Sequence, residues 1–118
     1  MNIEALYEYC LAKPGVSDSC PFSKLPNILV FKVADKMFLA TDIENYSGFS
    51  FKYHSDQIEE LKASNSCLVK APYANPKHWL MVEFDGSEEE TSLKSWIDTS
   101  YELVCANLSK KTREAYGV

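Results

Sequence analysis

Lys70-Ala-Pro-Tyr-Ala-Asn-Pro-Lys-His-Trp-Leu-Met-Val-Glu-Phe84 is the stretch on which the reading of the fold turns. Asn75-Pro76 predicts a turn, and behind it the apolar residues alternate in the two-residue rhythm of a β-strand. Leu80, Val82 and Phe84 are expected to point inward, and Trp79, Met81 and Glu83 outward. A strand with one buried face implies a sheet whose other face is at least partly open. An outward Trp79 beside Lys77 and His78 has the makeup of a contact surface rather than of a core.

Similar rhythms lie upstream. Across 48–53, Phe49, Phe51 and Tyr53 are predicted on one side, with Ser50 and Lys52 on the other. Residues 27–33 and 36–41 are rich in β-branched and aromatic side chains, and Ala34-Asp35 joins them as a hairpin connection. Ala-Asp forms a primed turn less readily than Asn-Gly, so a loop longer than two residues is expected. Residues 67–70 read as a brief strand.

Helical spacing marks the rest. Residues 2–13 carry Ile3, Leu6, Tyr7, Cys10 and Leu11 on one stripe, with Asn2 as the N-cap and Pro14-Gly15 as the stop. A polar connection follows, anchored only by Cys20-Pro21-Phe22. Residues 56–65 read as a short helix capped by Asp56 or Ser55. Ser87-Glu-Glu-Glu90 reads as a capping box opening a final helix to about Ser109, with Leu93, Trp96, Ile97, Tyr101, Val104 and Leu108 as its stripe. Lys110 and Lys111 suit the negative end of that helix. Helices set apart from an antiparallel sheet predict an α+β two-layer sandwich, its sheet covered on one face by the N- and C-terminal helices. All 118 residues fit one domain.

The chain is 46% hydrophobic, ample for one packed core, and no run of about 18 apolar residues exists to span a membrane. Acids occupy the first residues where a signal peptide needs a basic region, which predicts a soluble, cytoplasmic protein. Cys10, Cys20, Cys67 and Cys105 are widely spaced and lack the paired spacing of zinc ligands. Four reduced, mostly buried thiols are expected, with no metal and no cofactor.

The formal net charge of −5 argues against a general polyanion binder. Its distribution is uneven. No Asp or Glu occurs between Leu61 and Val82, where Lys62, Lys70 and Lys77 fall, and Lys110, Lys111 and Arg113 cluster near the C-terminus. One arginine is little for reading base edges, so lysines holding phosphates would give weak, salt-sensitive and sequence-tolerant binding.

No phosphate-binding glycine loop, Gly-x-Ser-x-Gly or His-Glu-x-x-His motif occurs. Cys67 and His78 are the one nucleophile and base pair to consider, and Glu4 and Glu8 are too sparse for iron loading. Lys77-His78-Trp79 has two readings. In one the indole is a packing platform and the cations hold an anionic partner. In the other Trp79 caps the sheet edge, His78 hydrogen-bonds a turn carbonyl and Lys77 is solvated, and the spacing alone favours this second one.

In order and spacing, Leu11-Ala-Lys-Pro-Gly-Val16, Pro21-Phe22, Val30-Phe-Lys-Val33, Lys36-Met-Phe38, Lys77-His-Trp79 and Ile97-Asp-Thr-Ser-Tyr-Glu-Leu-Val104 together resemble the MmcQ/YjbR family, over nearly the whole chain. The resemblance implies an α+β sandwich like that of the bacterial frataxin homologue, CyaY. It also implies DNA binding with two β-hairpins as wings, here the hairpin at Ala34-Asp35 and the segment entering Lys77-His78-Trp79. The family's link to an antibiotic biosynthesis cluster keeps small-molecule sequestration in view. The expectation is therefore a non-enzymatic binding module. Its working surface comprises Lys52, Lys70, Tyr73, Lys77, His78, Trp79 and Met81. Weak DNA binding is the leading role, and capture of a planar aromatic ligand on Tyr73, Trp79 and Met81 is the alternative.

Overall fold

In the computed structural model, which describes residues 1–118, the alternating segments pair into one antiparallel sheet. Its strands are β1 (Val16–Ser19), β2 (Ile28–Val33), β3 (Lys36–Asp42), β4 (Gly48–Lys52), β5 (Leu68–Lys70) and β6 (Trp79–Glu83), in the order β1-β2-β3-β4-β6-β5. The helices are α1 (Ile3–Leu11), α2 (Ile58–Ser64), α3 (Glu90–Ala106) and α4 (Lys110–Tyr116). Helix α3 lies across β2, β3 and β4, α1 packs on β1, and α2 on β5.

Register divides the strand residues between two faces. Phe31, Leu39, Phe51 and Leu80 are paired in turn across β2, β3, β4 and β6, and all are buried beneath the helices. They belong to one core that includes Leu6, Leu93, Trp96, Ile97 and Val104. Trp96 stacks on Phe51 with ring centroids 5.6 Å apart and planes within 2°. Burial of such aromatic and aliphatic surface is the main force holding α3 on the sheet.

A bulge between Phe31 and Lys32 shifts the register, so Phe31 pairs with Leu39 and Lys32 with Met37. Phe38 is the extra residue, and the bulge lets Phe38 and Leu39 both enter the core, against strict alternation. Strands β3 and β4 pair directly only at Leu39↔Phe51 and Ala40↔Ser50. Side-chain hydroxyls continue the join at each end. Thr41 donates to the Gly48 carbonyl at 2.6 Å. Ser100 of α3 donates to the Phe38 carbonyl and accepts the Lys52 amide. Gly48 is required here: φ is +154° and an added Cβ would lie 1.8 Å from the Val82 carbonyl oxygen.

Several local expectations are corrected. Ala34-Asp35 is a true two-residue loop, since Val33 pairs with Lys36, and both residues take positive φ, 50° and 63°. Strand pairing on either side imposes the primed turn despite its unfavourable residues. The polar segment Val16–Ser19 is an edge strand on β2, invisible to alternation because only Val16 is even partly buried. Helix α2 has Gln57 at its cap position without a side-chain bond, not Asp56 or Ser55.

The Ser87 capping box does not form. Ser87 instead donates to Asp85, while Glu88 accepts the Asp85 and Gly86 amides, and α3 begins at Glu90. The final helix also breaks at Asn107. Ser109 then caps a separate α4 by accepting the Thr112 amide at 3.2 Å, so Lys110 and Lys111 open that helix. Asn2 caps α1 as predicted, accepting the Ala5 amide at 2.8 Å.

Candidate functional site

On the face away from α3, β2, β3, β4 and β6 turn Ile28, Ala40, Ser50 and Met81 outward as the floor of a cleft of about 580 Å³. That size falls within the range of small-molecule sites. Three connections wall it: the β1–β2 segment through Phe22 and Leu25, the β3–β4 loop through Asn45 and Ser47, and the β5–β6 loop through Pro72, Tyr73 and Ala74. Trp79 and Met37 complete the apolar lining, and Asp42 is its one charged side chain.

The β5–β6 loop is shaped by Asn75. Its side-chain oxygen accepts the Lys77 amide at 3.0 Å, and its carbonyl accepts the amides of His78 and Trp79. This fixes the turn that delivers Trp79 to the start of β6, where it pairs with Lys52. Tyr73 stands on the same loop with φ +59° and 89% of its surface exposed. A bulky side chain in the left-handed region is strained, and strain of this kind concentrates at ligand clamps and active sites.

The seven expected surface residues do not form one patch. Tyr73, Trp79 and Met81 line the cleft. Lys52 pairs with Trp79 and so lies on the same face, outside the lining. Lys70 pairs with Leu80, which is in the core, so it projects toward the helix side of the sheet. Lys77 and His78 are exposed on the turn. The acid-free window is thus divided between the two faces.

Cys67 and His78 are also apart. The Cys67 carbonyl accepts the Glu83 amide at 2.8 Å, at one end of β6, while His78 precedes its other end. Five residues of strand put roughly 16 Å between them, too far for a nucleophile and its base. Burial pushes the Cys67 thiol up, which disfavours the thiolate despite a hydrogen bond with Ser87. All four cysteines are free, and Cys20 alone is exposed. No cluster of three His, Cys, Asp or Glu side chains is placed to hold a metal ion. No helix is long and apolar enough to cross a membrane.

Sequence reasoning missed most of the cleft walls. Phe22 stood out only as an anchor in a polar stretch, and Ser50 only as the outward neighbour of Phe49 and Phe51. The signal for the floor was present: outward Ala40, Ser50 and Met81 are small or apolar where a solvated face would carry charge.

A YjbR family model matches residues 11–103. The uncharacterised YjbR protein of Escherichia coli K12 is 30% identical over 116 residues, covering 97% of this chain and 96% of that protein. The crystal structure of DR2400 from Deinococcus radiodurans, with a DUF419 domain, superposes with a TM-score of 0.90 at 27% identity. The match covers 99% of this chain and 88% of that one. A crystal structure of a Pseudomonas syringae protein shares the fold, with a TM-score of 0.73 at 20% identity over 87% of this chain and 98% of its own.

Proposed function

The chain belongs to the YjbR family, and on that premise we propose that it is a non-catalytic binding protein for a small, flat, largely apolar molecule. The carrying observation is the cleft: a floor of Ala40, Ser50 and Met81, with Trp79 and Tyr73 at one side, enclosing about 580 Å³. Apolar walls with a few fixed polar groups are the usual makeup of such sites. Aromatic side chains at the rim favour a planar ligand that stacks.

Duplex DNA binding through the hairpin wings has weaker support. It asks for a continuous cationic surface. Lys52 and Lys70 stand on opposite faces, Asp35 sits at the tip of the first hairpin, and Asp42 and Glu83 lie on the open face. The expected likeness to the bacterial frataxin homologue finds no support among these relatives.

A thermal-shift screen of planar aromatic compounds tests the proposal, because a ligand selective for the native state raises its stability. Compounds that raise Tm with the parent protein are expected to lose the effect with Ala40→Leu or Ser50→Leu, which fill the floor from the solvent side. A library without hits, or hits indifferent to both substitutions, would sink it.

A further inference from the structure

We propose that the cleft selects an apolar amine and holds it in one orientation, with the ammonium group at the Asp42 end. This rests on the binding reading above and deepens it. The open face is graded along the strands. Ile28 pairs with Asp42 and Gly48 with Glu83, and the Ala40↔Ser50 register brings Asp42 level with Gly48. These residues form one row across four strands, with a carboxylate on each side of Gly48.

Two residues further along the strands, Val30, Ala40, Ser50 and Met81 form a row without charge. Beyond it come Lys32, paired with Met37, and Lys52, paired with Trp79. Each row is displaced by roughly 7 Å, so the lysines stand on the order of 13 Å from the acids.

Only one of these charges lines the cleft, and it is Asp42. Its Oδ1 accepts the amides of Glu44 and Asn45, each at 2.9 Å, which holds the carboxylate in place. No protein donor engages Oδ2, so it is free to accept from a ligand. Beside an apolar floor that interaction is stronger than in bulk water. A carboxylate ligand would meet Asp42 at close quarters, whereas an amine turned the other way would approach Lys32 and Lys52. The gradient therefore sets both the charge of the ligand and its direction.

Calorimetric titration with 2-naphthylmethylamine, 2-naphthalenemethanol and 2-naphthoate tests this. The amine is expected to bind at least about tenfold more tightly than the carboxylate, the worth of one charge-assisted hydrogen bond. Asp42→Asn keeps an acceptor for the Glu44 and Asn45 amides and is expected to erase that preference. Lys52→Met is expected to leave amine binding equal or tighter. Equal affinities, preference for the naphthoate, or an amine preference surviving Asp42→Asn would overturn the inference and leave the cleft reading standing. Binding by none of the three would overturn both.

Discussion

Lys52 donates its backbone amide to the side-chain hydroxyl of Ser100, 2.8 Å away on α3. The same hydroxyl donates to the Phe38 carbonyl, whose place in the ladder the bulge has disrupted. Ser100 is wholly buried, so these backbone groups have no ready substitute partner. Ser100→Ala is expected to destabilise by about 2–4 kcal/mol, from two orphaned groups. Thr41→Val, which removes one donor to the Gly48 carbonyl, is expected to cost about 1 kcal/mol. Urea midpoints with an unchanged m-value check the ranking.

Ala34 and Tyr73 both occupy the left-handed region, at φ 50° and 59°. Replacing either by glycine relieves strain of about 1 kcal/mol. Ala34→Gly is expected to stabilise the hairpin without affecting ligand binding. Tyr73→Gly is expected to gain comparable stability yet bind aromatic ligands less well, because the ring at the cleft rim is gone. Denaturation and titration on the two variants separate a strained turn from a strained site.

Stability is expected to fall in alkali. Burial pushes the Cys10 thiol from 9.0 up to about 12. Burial, and then the hydrogen bond to Asp98, lift the Tyr9 phenol from 10.0 to about 12, and burial lifts Tyr46 equally far. A folded-state pKa above the unfolded value gives stability that is complete below the unfolded value and disappears as pH rises through the folded one. The loss therefore begins near pH 9 with Cys10, deepens above pH 10 with the tyrosines and is complete by about pH 12. Cys10→Ala and Tyr46→Phe are expected to flatten the midpoint-versus-pH curve over that window.

Lys13, just beyond the end of α1, joins that helix to α3. Its ammonium pairs with Asp98 and lies 4.8 Å and 5.3 Å from the ring centres of Tyr9 and Tyr101. Asp98 also accepts the Tyr9 hydroxyl at 2.8 Å. Removing the carboxylate strands a largely sheltered cation, so Asp98→Ala is expected to cost about 1–3 kcal/mol. Lys13→Met keeps the packing between the two rings and is expected to cost less than Asp98→Ala. Thermal midpoints of the two variants and their double mutant measure the coupling.

Local alternation made much of this architecture legible. Phe49, Phe51, Leu80 and Val82 are buried where the pattern put them, and Trp79 and Met81 face the open side. The bulge was not legible, because pairing across strands created it and placed Phe38 beside Leu39 in the core. Ser100 carries no local signal of its role, which depends on a strand junction 48 residues away from it at Lys52. The cleft was half legible. Its floor follows from alternation, but Phe22 and Leu25 reach it only because the β1–β2 connection folds back over the sheet. Charge failed for a similar reason: Lys52 and Lys70 look alike in the sequence, and only register shows them on opposite faces.

The junction between β3 and β4, with its two direct pairs and two borrowed hydroxyls, makes the sheet a book of two leaves. One leaf is β1-β2-β3 and the other β4-β6-β5, and the spine runs beneath the floor of the cleft at Ala40 and Ser50. A guest lying on that floor touches both leaves and works as a clasp. Its binding energy adds to the cohesion of the spine, so amides there should exchange with solvent more slowly when the cleft is filled. Anything that loosens Ser100 should in turn weaken the grip on the guest, although α3 lies on the far side of the page.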